Sequence, residues 1–314
     1  PKARAGPPPP PPATLDLVIP GAGAASTNPT WPFRYNELSG LTNRFIVVPE
    51  HKLLFCYIEK NSCSAFNRLF ASVRSRAVPS QSLVGKAESW VPWGLNSPKA
   101  LKMGSAAQIM AMLKDPAWHK AVFYRDPLER FVSALQSKCE LGGAKVDGDG
   151  KDHCRGEFGT ETATFEQAVD HIAREDNATD AALQRVNEDV HFRRQSQFCG
   201  GLGHSLRYYD TVEQLDRATS RDKVIALLAK VNVSHADVPL FDDLFPAVAA
   251  AFKHNTNAAS STRRRFAADA TGRATRVLVD HYVNDYLLFG IPAPDWVLDD
   301  LTNRKAASRL NKRR

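Results

Sequence analysis

The stretch "YIEKNSCSAFNRLF", residues 57–70, closes one apolar run and opens another of different period. Upstream, Leu53 to Ile58 is continuously apolar, the pattern of a strand covered on both faces. Downstream, Phe66, Leu69, Phe70 and Val73 fall at i, i+3, i+4 and i+7, one face of an amphipathic helix. Between them lies Lys60-Asn61-Ser62-Cys63-Ser64. A polar loop joining a buried strand to a helix start can hold an anion. It offers free backbone N–H groups, the positive end of the helix dipole, the hydroxyls of Ser62 and Ser64, and the mobile charge of Lys60. Ordinary serine capping explains the same residues without any ligand. The loop lacks G-x-x-x-x-G-K-[ST], which argues against an ordinary ATPase or GTPase.

A second junction of the same kind follows. "KAVFY", residues 120–124, reads as a buried strand, and "RDPLERFVSALQSKCE" follows directly. Asp126 suits the N-cap, Pro127 the first helical position, and Glu129 the closing of a capping box. Leu128, Phe131, Val132 and Leu135 make the apolar stripe. Arg130, Ser133 and Ser137 share the opposite face. Arg125 at the strand end and Ser133 on the helix could reach one phosphate between them; a surface arginine and a surface serine are the plainer reading. Two such junctions in one sheet suggest a ligand with phosphate at both ends. Elsewhere "FIVVPEHKLLFCYI", residues 45–58, holds two strand-like runs around a turn. Helical periodicity covers 104–114, 164–174, 180–190, 221–231 and 272–288, and "LRYYDTV", 206–212, reads as a strand leading to a turn. Strands alternating with helices predict an α/β domain with a central, mainly parallel sheet flanked by helices.

Composition sets the outer bounds. A chain of 314 residues, 43% hydrophobic and 24% charged, can bury a substantial core. A net charge of +7 favours anionic partners without choosing among them. No DNA- or RNA-binding motif is present, so no nucleic-acid partner is expected. The chain contains no apolar run of about 18 residues, so membrane attachment would require an N-terminal anchor missing from this sequence. Residues 1–41, rich in Pro and Ala, read as a stem or linker, 42–297 as the folded domain, and 298–314 as a basic tail. The five cysteines are Cys56, Cys63, Cys139, Cys154 and Cys199. A disulfide between Cys139 and Cys154, closing the Gly- and Asp-rich loop in a secretory compartment, and two unpaired thiols both fit the spacing. Asn177-Ala178-Thr179 and Asn232-Val233-Ser234 match the glycosylation acceptor pattern. His153, beside Cys154, has no partner pair at ligand spacing, so no metal is expected.

Five segments taken in order carry a resemblance. Lys60-Asn61-Ser62-Cys63-Ser64-Ala65-Phe66-Asn67-Arg68 resembles the P-K-V-G-C-T-N-W-K-R loop of Golgi carbohydrate sulfotransferases of the chondroitin and dermatan 4-O type. "YRDPLERFVSAL" is similar to that family's R-[DE]-P-F-x-R-L-V-S-A-[YF]. His191-Phe192-Arg193-Arg194-Gln195 resembles H-W-x-P-Q, "LRYYDTVEQL" resembles Y-D-F-[IV]-G-x-[FY]-E-x-L, and "VNDYLLFG" resembles Y-x-x-D-[YF]-x-[LM]-F-G-Y. The resemblance spans about residues 45–291. It implies a P-loop-NTPase-like sulfotransferase fold and the donor 3′-phosphoadenosine 5′-phosphosulfate (PAPS), with adenosine 3′,5′-bisphosphate as product and no metal. Lys60, Asn61, Ser62, Cys63 and Ser64 would surround the 5′-phosphosulfate with Arg68 nearby, and Arg125 and Ser133 would bind the 3′-phosphate.

The chemistry suits those residue types. Sulfuryl transfer is an in-line displacement that loads charge onto the leaving phosphate, which Lys60 and helix N–H groups can stabilise. The acceptor hydroxyl needs a base, and His191 is the first choice, with His119, His204 and Glu59 as rivals. Glu59 stands where the family usually has proline, Ser62 where it has glycine, and Phe66 where it has tryptophan. The family's histidine near residues 98–104 has no counterpart. Arg193, Arg194, Arg263, Arg264 and Arg265 are candidates for holding an acidic glycan chain; a solvated charge run is the alternative for the triplet. The expected setting is the Golgi lumen, as the lumenal part of a single-pass type II membrane glycoprotein. A small-molecule acceptor and an inactive PAPS- or glycan-binding relative are the competing readings.

Overall fold

The computed structural model describes residues 44–77, 91–140, 150–176, 189–216, 218–247, 258–269 and 271–292. The stem, the basic tail and the Asn177 acceptor triplet lie outside the described residues, as does nearly all of the helix expected over 180–190. Asn232 is exposed.

Four strands form one sheet in the order β1 (Phe45–Val48), β2 (Leu53–Cys56), β3 (His119–Tyr124), β4 (Thr211–Gln214). β1 runs antiparallel to β2, while β2–β3 and β3–β4 are parallel. The domain is therefore α/β with a mostly parallel sheet flanked by helices, as the alternation of periods predicts. Every residue of β1 and β2 is buried, because each face has its own core. Phe45, Val47, Leu54, Cys56 and Val122 pack on one side with helices α2 (Ala106–Lys114) and α3 (Pro127–Lys138). Ile46, Val48, Leu53, Phe55 and Phe123 pack on the other with helix α1 (Cys63–Ala77) and the helix Ser220–Lys230.

The start of α1 is pinned by aromatic rings. Phe66 lies 4.5 Å from Phe55 and 5.2 Å from Phe123, centroid to centroid, and Phe70 lies 4.9 Å from Phe55. Losing such a ring from a core costs about 3–5 kcal/mol, so Phe66 fixes where the first turn of α1 begins.

The edge of the sheet at β1 is covered. Val47 N–H, which faces away from β2, donates to Asn96 O at 2.8 Å. Asn96 Oδ1 in turn accepts from Arg74 NH1 of α1 at 2.9 Å, and Arg74 also holds Glu50 in the β1–β2 turn.

Some sequence expectations need correction. The strand expected at 206–212 begins only at Thr211; Leu206–Tyr208 is a turn of 3-10 helix. The helix expected over 272–288 is two, Arg273–His281 and Val283–Phe289, broken at Tyr282. Tyr282 is fully buried and donates its hydroxyl to Phe192 O. Asp126 does cap α3 by accepting from Glu129 N at 2.9 Å, but Glu129 closes no capping box, because its carboxylate turns back to Arg125. The arginine triplet lies in a helix, Ala258–Ala268.

Among the described residues no helix is long and apolar enough to cross a membrane. Cys139 pairs with Cys154, as one of the two readings of that loop had it. Cys56 pairs with Cys199, a bridge no sequence argument indicated.

Candidate active site

The carboxyl ends of β2 and β3 deliver both junctions to one side of the sheet, where ligands bind in open α/β folds. After β2 the chain turns sharply. Lys60 and Ser62 both take left-handed backbone angles, φ +68° and +57°. That geometry suits glycine, and it explains why a glycine occupies the position of Ser62 in the motif the loop resembles. Ser62 and Ser64 are exposed at the first turn of α1, and Cys63 is the free cysteine among the described residues. Phe66 N–H donates to Ser62 O, starting the helix. The exposed hydroxyls, the helix N-terminus and the adjacent lysine fit the phosphosulfate end of PAPS.

Asn61 does not join them. It is 2% exposed, its backbone N–H donates to Ile58 O, and its amide Nδ2 donates to Phe123 O (3.2 Å) and Gln195 Oε1 (2.7 Å). Both side-chain N–H bonds and the backbone N–H are committed, so Asn61 supports the loop from beneath and offers a phosphate no donor.

Lys60 Nζ reaches across to α3, donating to Ser137 Oγ at 2.6 Å. The face of α3 that carries Arg130, Ser133 and Ser137 is therefore turned toward the loop after β2. Ser133 is buried, Ser137 is half-buried, and Arg130 is fully buried. Arg125, one residue before the cap of α3, is half-buried and donates through Nε and NH2 to Glu129 Oε2, both at 3.2 Å. Arg68 lies half-buried on α1.

Arg130 plays a part that its residue type did not reveal. Its guanidinium donates to Glu59 O (2.8 Å), Val190 O (3.0 Å) and Arg193 O (2.5 Å). Three main-chain carbonyls thus satisfy a buried cation. One of them belongs to the residue before Lys60, and the other two flank His191 and Phe192, so the loop after β2 and the His191 segment are tied through one side chain.

His191 is 9% exposed, and its Nδ1 lies 2.7 Å from Asp189 Oδ1. A carboxylate only accepts, so Nδ1 carries the proton and Nε2 keeps its lone pair. Burial pushes His191 down to about 4, against the pull of Asp189, so the ring is neutral at pH 7. Asp189 is held well below the usual carboxylate range; burial opposes this, but hydrogen bonds from His153 and His191 outweigh it. His153, for which the sequence offered no partner, is the second imidazole on that carboxylate, 2.7 Å from Asp189 Oδ2 and packed edge-on against His191. Two histidines and an aspartate have metal-ligand chemistry, and their ligand atoms lie within 4.8 Å of one another. In this structure the two 2.7 Å contacts join the three side chains through hydrogen bonds to Asp189.

Of the rival bases, His119 sits at the opposite, N-terminal end of β3, bonded to Thr211 Oγ1. Glu59 is buried beside Lys60 and paired with Arg44 at 2.8 Å. Burial pushes its carboxyl up to about 7, while Arg44 pulls the other way.

The arginines proposed for an acceptor divide. Arg194 is held by the helix Arg273–His281, donating from Nε to His281 O at 2.6 Å. Arg265 is paired with Glu140. Arg263 and Arg264 are exposed on a helix tied to α3 by the Gln136–Ser261 hydrogen bond. Arg193 is half-buried next to Phe192.

Comparison with known proteins places the chain in a family. Human carbohydrate sulfotransferase 9 is 23% identical over 272 residues, 82% of this chain and 55% of that protein. Zebrafish carbohydrate sulfotransferase 11 is 32% identical over 97 residues, 31% of this chain and 26% of its own length. The rat protein of the same name is 32% identical over 94 residues, 30% of this chain and 25% of its own. The chain therefore spans about half the length of the human relative and about a quarter of the others. No solved structure matches it. The model of the Sulfotransferase family matches residues 43–292, which takes in both strand-to-helix junctions and the His191 segment, and the chain belongs to that family.

Proposed function

We propose that this protein is a PAPS-dependent sulfotransferase that moves a sulfo group from PAPS to a hydroxyl of a carbohydrate. The observation that carries the reading is the reach of Lys60 from the loop after β2 to Ser137 of α3, which brings the two strand-to-helix junctions together. The names of the relatives support a glycan acceptor.

PAPS supplies a sulfo group on a phosphate leaving group: the acceptor oxygen bonds to sulfur in line as the bond from sulfur to the 5′-phosphate oxygen breaks. Lys60 and the N-terminal N–H groups of α1 neutralise the charge left on that phosphate. Arg125 and Ser133 hold the 3′-phosphate end; Arg125 exchanges Glu129 for the phosphate as it does so. His191 Nε2 takes the acceptor proton, and Asp189 steadies the imidazolium that results. Adenosine 3′,5′-bisphosphate is the product. The net positive charge, with Arg263 and Arg264 exposed, favours an acidic glycan. The two disulfides suit an oxidising compartment, and the Golgi lumen is the proposed setting.

The test is incubation with labelled PAPS and a panel of desulfated polysaccharides, followed by disaccharide analysis. Sulfated disaccharides are the expected result. Faster labelling of a neutral small molecule than of any glycan would replace the acceptor class, and no transfer to any acceptor, with no binding of adenosine 3′,5′-bisphosphate, would overturn the activity.

A further inference from the structure

One fully buried side chain touches both phosphate-binding junctions. Gln195 is 0% exposed. Its Oε1 accepts from Asn61 Nδ2 of the donor loop at 2.7 Å and from the backbone N–H of Arg125 at 3.0 Å. Its Nε2 donates to Arg125 O at 2.8 Å. The amide thereby exchanges two hydrogen bonds with one residue, as a paired strand would, at the point where β3 ends. The rest of Gln195 is anchored as well: its backbone N–H donates to Asp285 Oδ2 at 2.7 Å, and the next N–H, of Ser196, donates to Asp285 Oδ1 at 2.8 Å. Asp285 is itself fully buried. The network closes through Asn61, which also donates to Phe123 O on β3.

We propose that Gln195 is a positioning residue that fixes the separation of the two junctions, and so selects a nucleotide phosphorylated at both its 3′ and 5′ ends. This rests on the donor reading above. Gln195 lies beneath the loops and acts through Asn61 and Arg125. A ligand anchored at two points gains from the second contact only if the spacing is already set. Loss of about 1 Å of placement is enough to cost on the order of a hundredfold. A ligand with a single phosphate needs one junction only and is indifferent to the spacing between them.

That difference gives the test. Wild type and Gln195→Met are titrated with adenosine 3′,5′-bisphosphate, adenosine 5′-monophosphate and adenosine 3′-monophosphate, using calorimetry for the first and competition for the others. Gln195→Met should weaken the bisphosphate by roughly ten- to a hundredfold, leaving each monophosphate within about twofold. A variant that merely loosened the fold would weaken all three alike, and that result overturns the proposal, as does an unchanged affinity for the bisphosphate. If Gln195→Met does not fold, Asn61→Ala releases the donor-loop end of the same bridge and must show the same selective loss. The wild-type preference for the bisphosphate over either monophosphate judges the donor reading separately; the ratio of variant to wild type judges Gln195.

Discussion

Lys60 Nζ and Ser137 Oγ, 77 residues apart in sequence, meet at 2.6 Å. The lysine that would neutralise the leaving phosphate is thus held by the same helix whose first turn follows Arg125. Charge on the leaving group exists only as the bond breaks, so the lysine should matter more to turnover than to binding. Lys60→Ala is expected to lower kcat about a hundredfold, with a smaller change in affinity for adenosine 3′,5′-bisphosphate. Single-turnover kinetics with calorimetry checks this. A variant with unchanged kcat and a raised KM for PAPS would make Lys60 a binding residue only.

The buried imidazole sets a pH signature. With His191 pushed down to about 4, the neutral base persists well below the usual histidine range. The acid limb of kcat/KM should therefore fall near pH 4 and not near 6.5. Stability follows the same sign. Between about pH 6.5 and 4 the unfolded chain binds a proton at this residue and the native state does not, so stability contributed here is lost as pH falls through that window. Its size is roughly 3 kcal/mol by the cost of 1.36 kcal/mol per pH unit. Glu59 works in the opposite sense, its contribution being lost as pH rises toward 7. The comparison of wild type with His191→Gln by urea unfolding at several pH values isolates the histidine. A difference that stays flat from pH 4 to 6.5 would refute the assignment.

The Cys56–Cys199 bridge joins the end of β2, just ahead of the donor loop, to the segment that carries His191 and Gln195. Its sequence separation is 143 residues. In the loop-entropy picture such a closure stabilises by about 5 kcal/mol, against about 3 kcal/mol for a loop the size of Cys139–Cys154. Replacement of Cys56 and Cys199 by alanine should destabilise more than replacement of Cys139 and Cys154, as measured by chemical denaturation. Peptide mapping without reductant should recover both bridges. The opposite ranking of stabilities would show that chain closure is not how the bridge acts.

Ser62 is held at φ +57°, where a Cβ is strained. The left-handed conformation costs an L-residue about 1–2 kcal/mol, and glycine returns part of that in unfolded-chain entropy. Ser62→Gly should raise stability by about 0.5–1 kcal/mol, a Tm increase of roughly 2 °C. Scanning calorimetry reads it, and a lowered Tm would mean that the Ser62 hydroxyl contributes more than the backbone strain costs.

The periodicities around residues 57–70 and 120–135 reveal the sheet, both junctions and the capping of α3, because local sequence controls these features. What stays hidden is the buried polar framework. The helical wheel sets Arg130 and Ser133 opposite the apolar stripe, but it cannot tell water from a neighbouring loop. Gln195 and Asn61 both sit in quoted motifs, but their buried contact arises only when segments 134 residues apart are juxtaposed. Asp189 lies two residues before the histidine chosen as base, and that short spacing was the one local signal for its partner. His153 had none, because its partner lies 36 residues away. Cys56 and Cys199 pair across 143 residues, a span that leaves no trace in spacing.

The hydrogen bond from Val47 N–H to Asn96 O has a bearing on how the protein behaves in company. Phe45–Val48 carries four apolar residues and no charge, the composition of a segment that recruits identical strands from other chains. Natural sheet borders are often guarded by lysine or proline within the strand; here the guard is a distant main-chain carbonyl, held through Arg74 and Glu50. Solubility at high concentration therefore depends on the segment around Asn96 staying seated. Damage there is expected to show as self-association, read by light scattering.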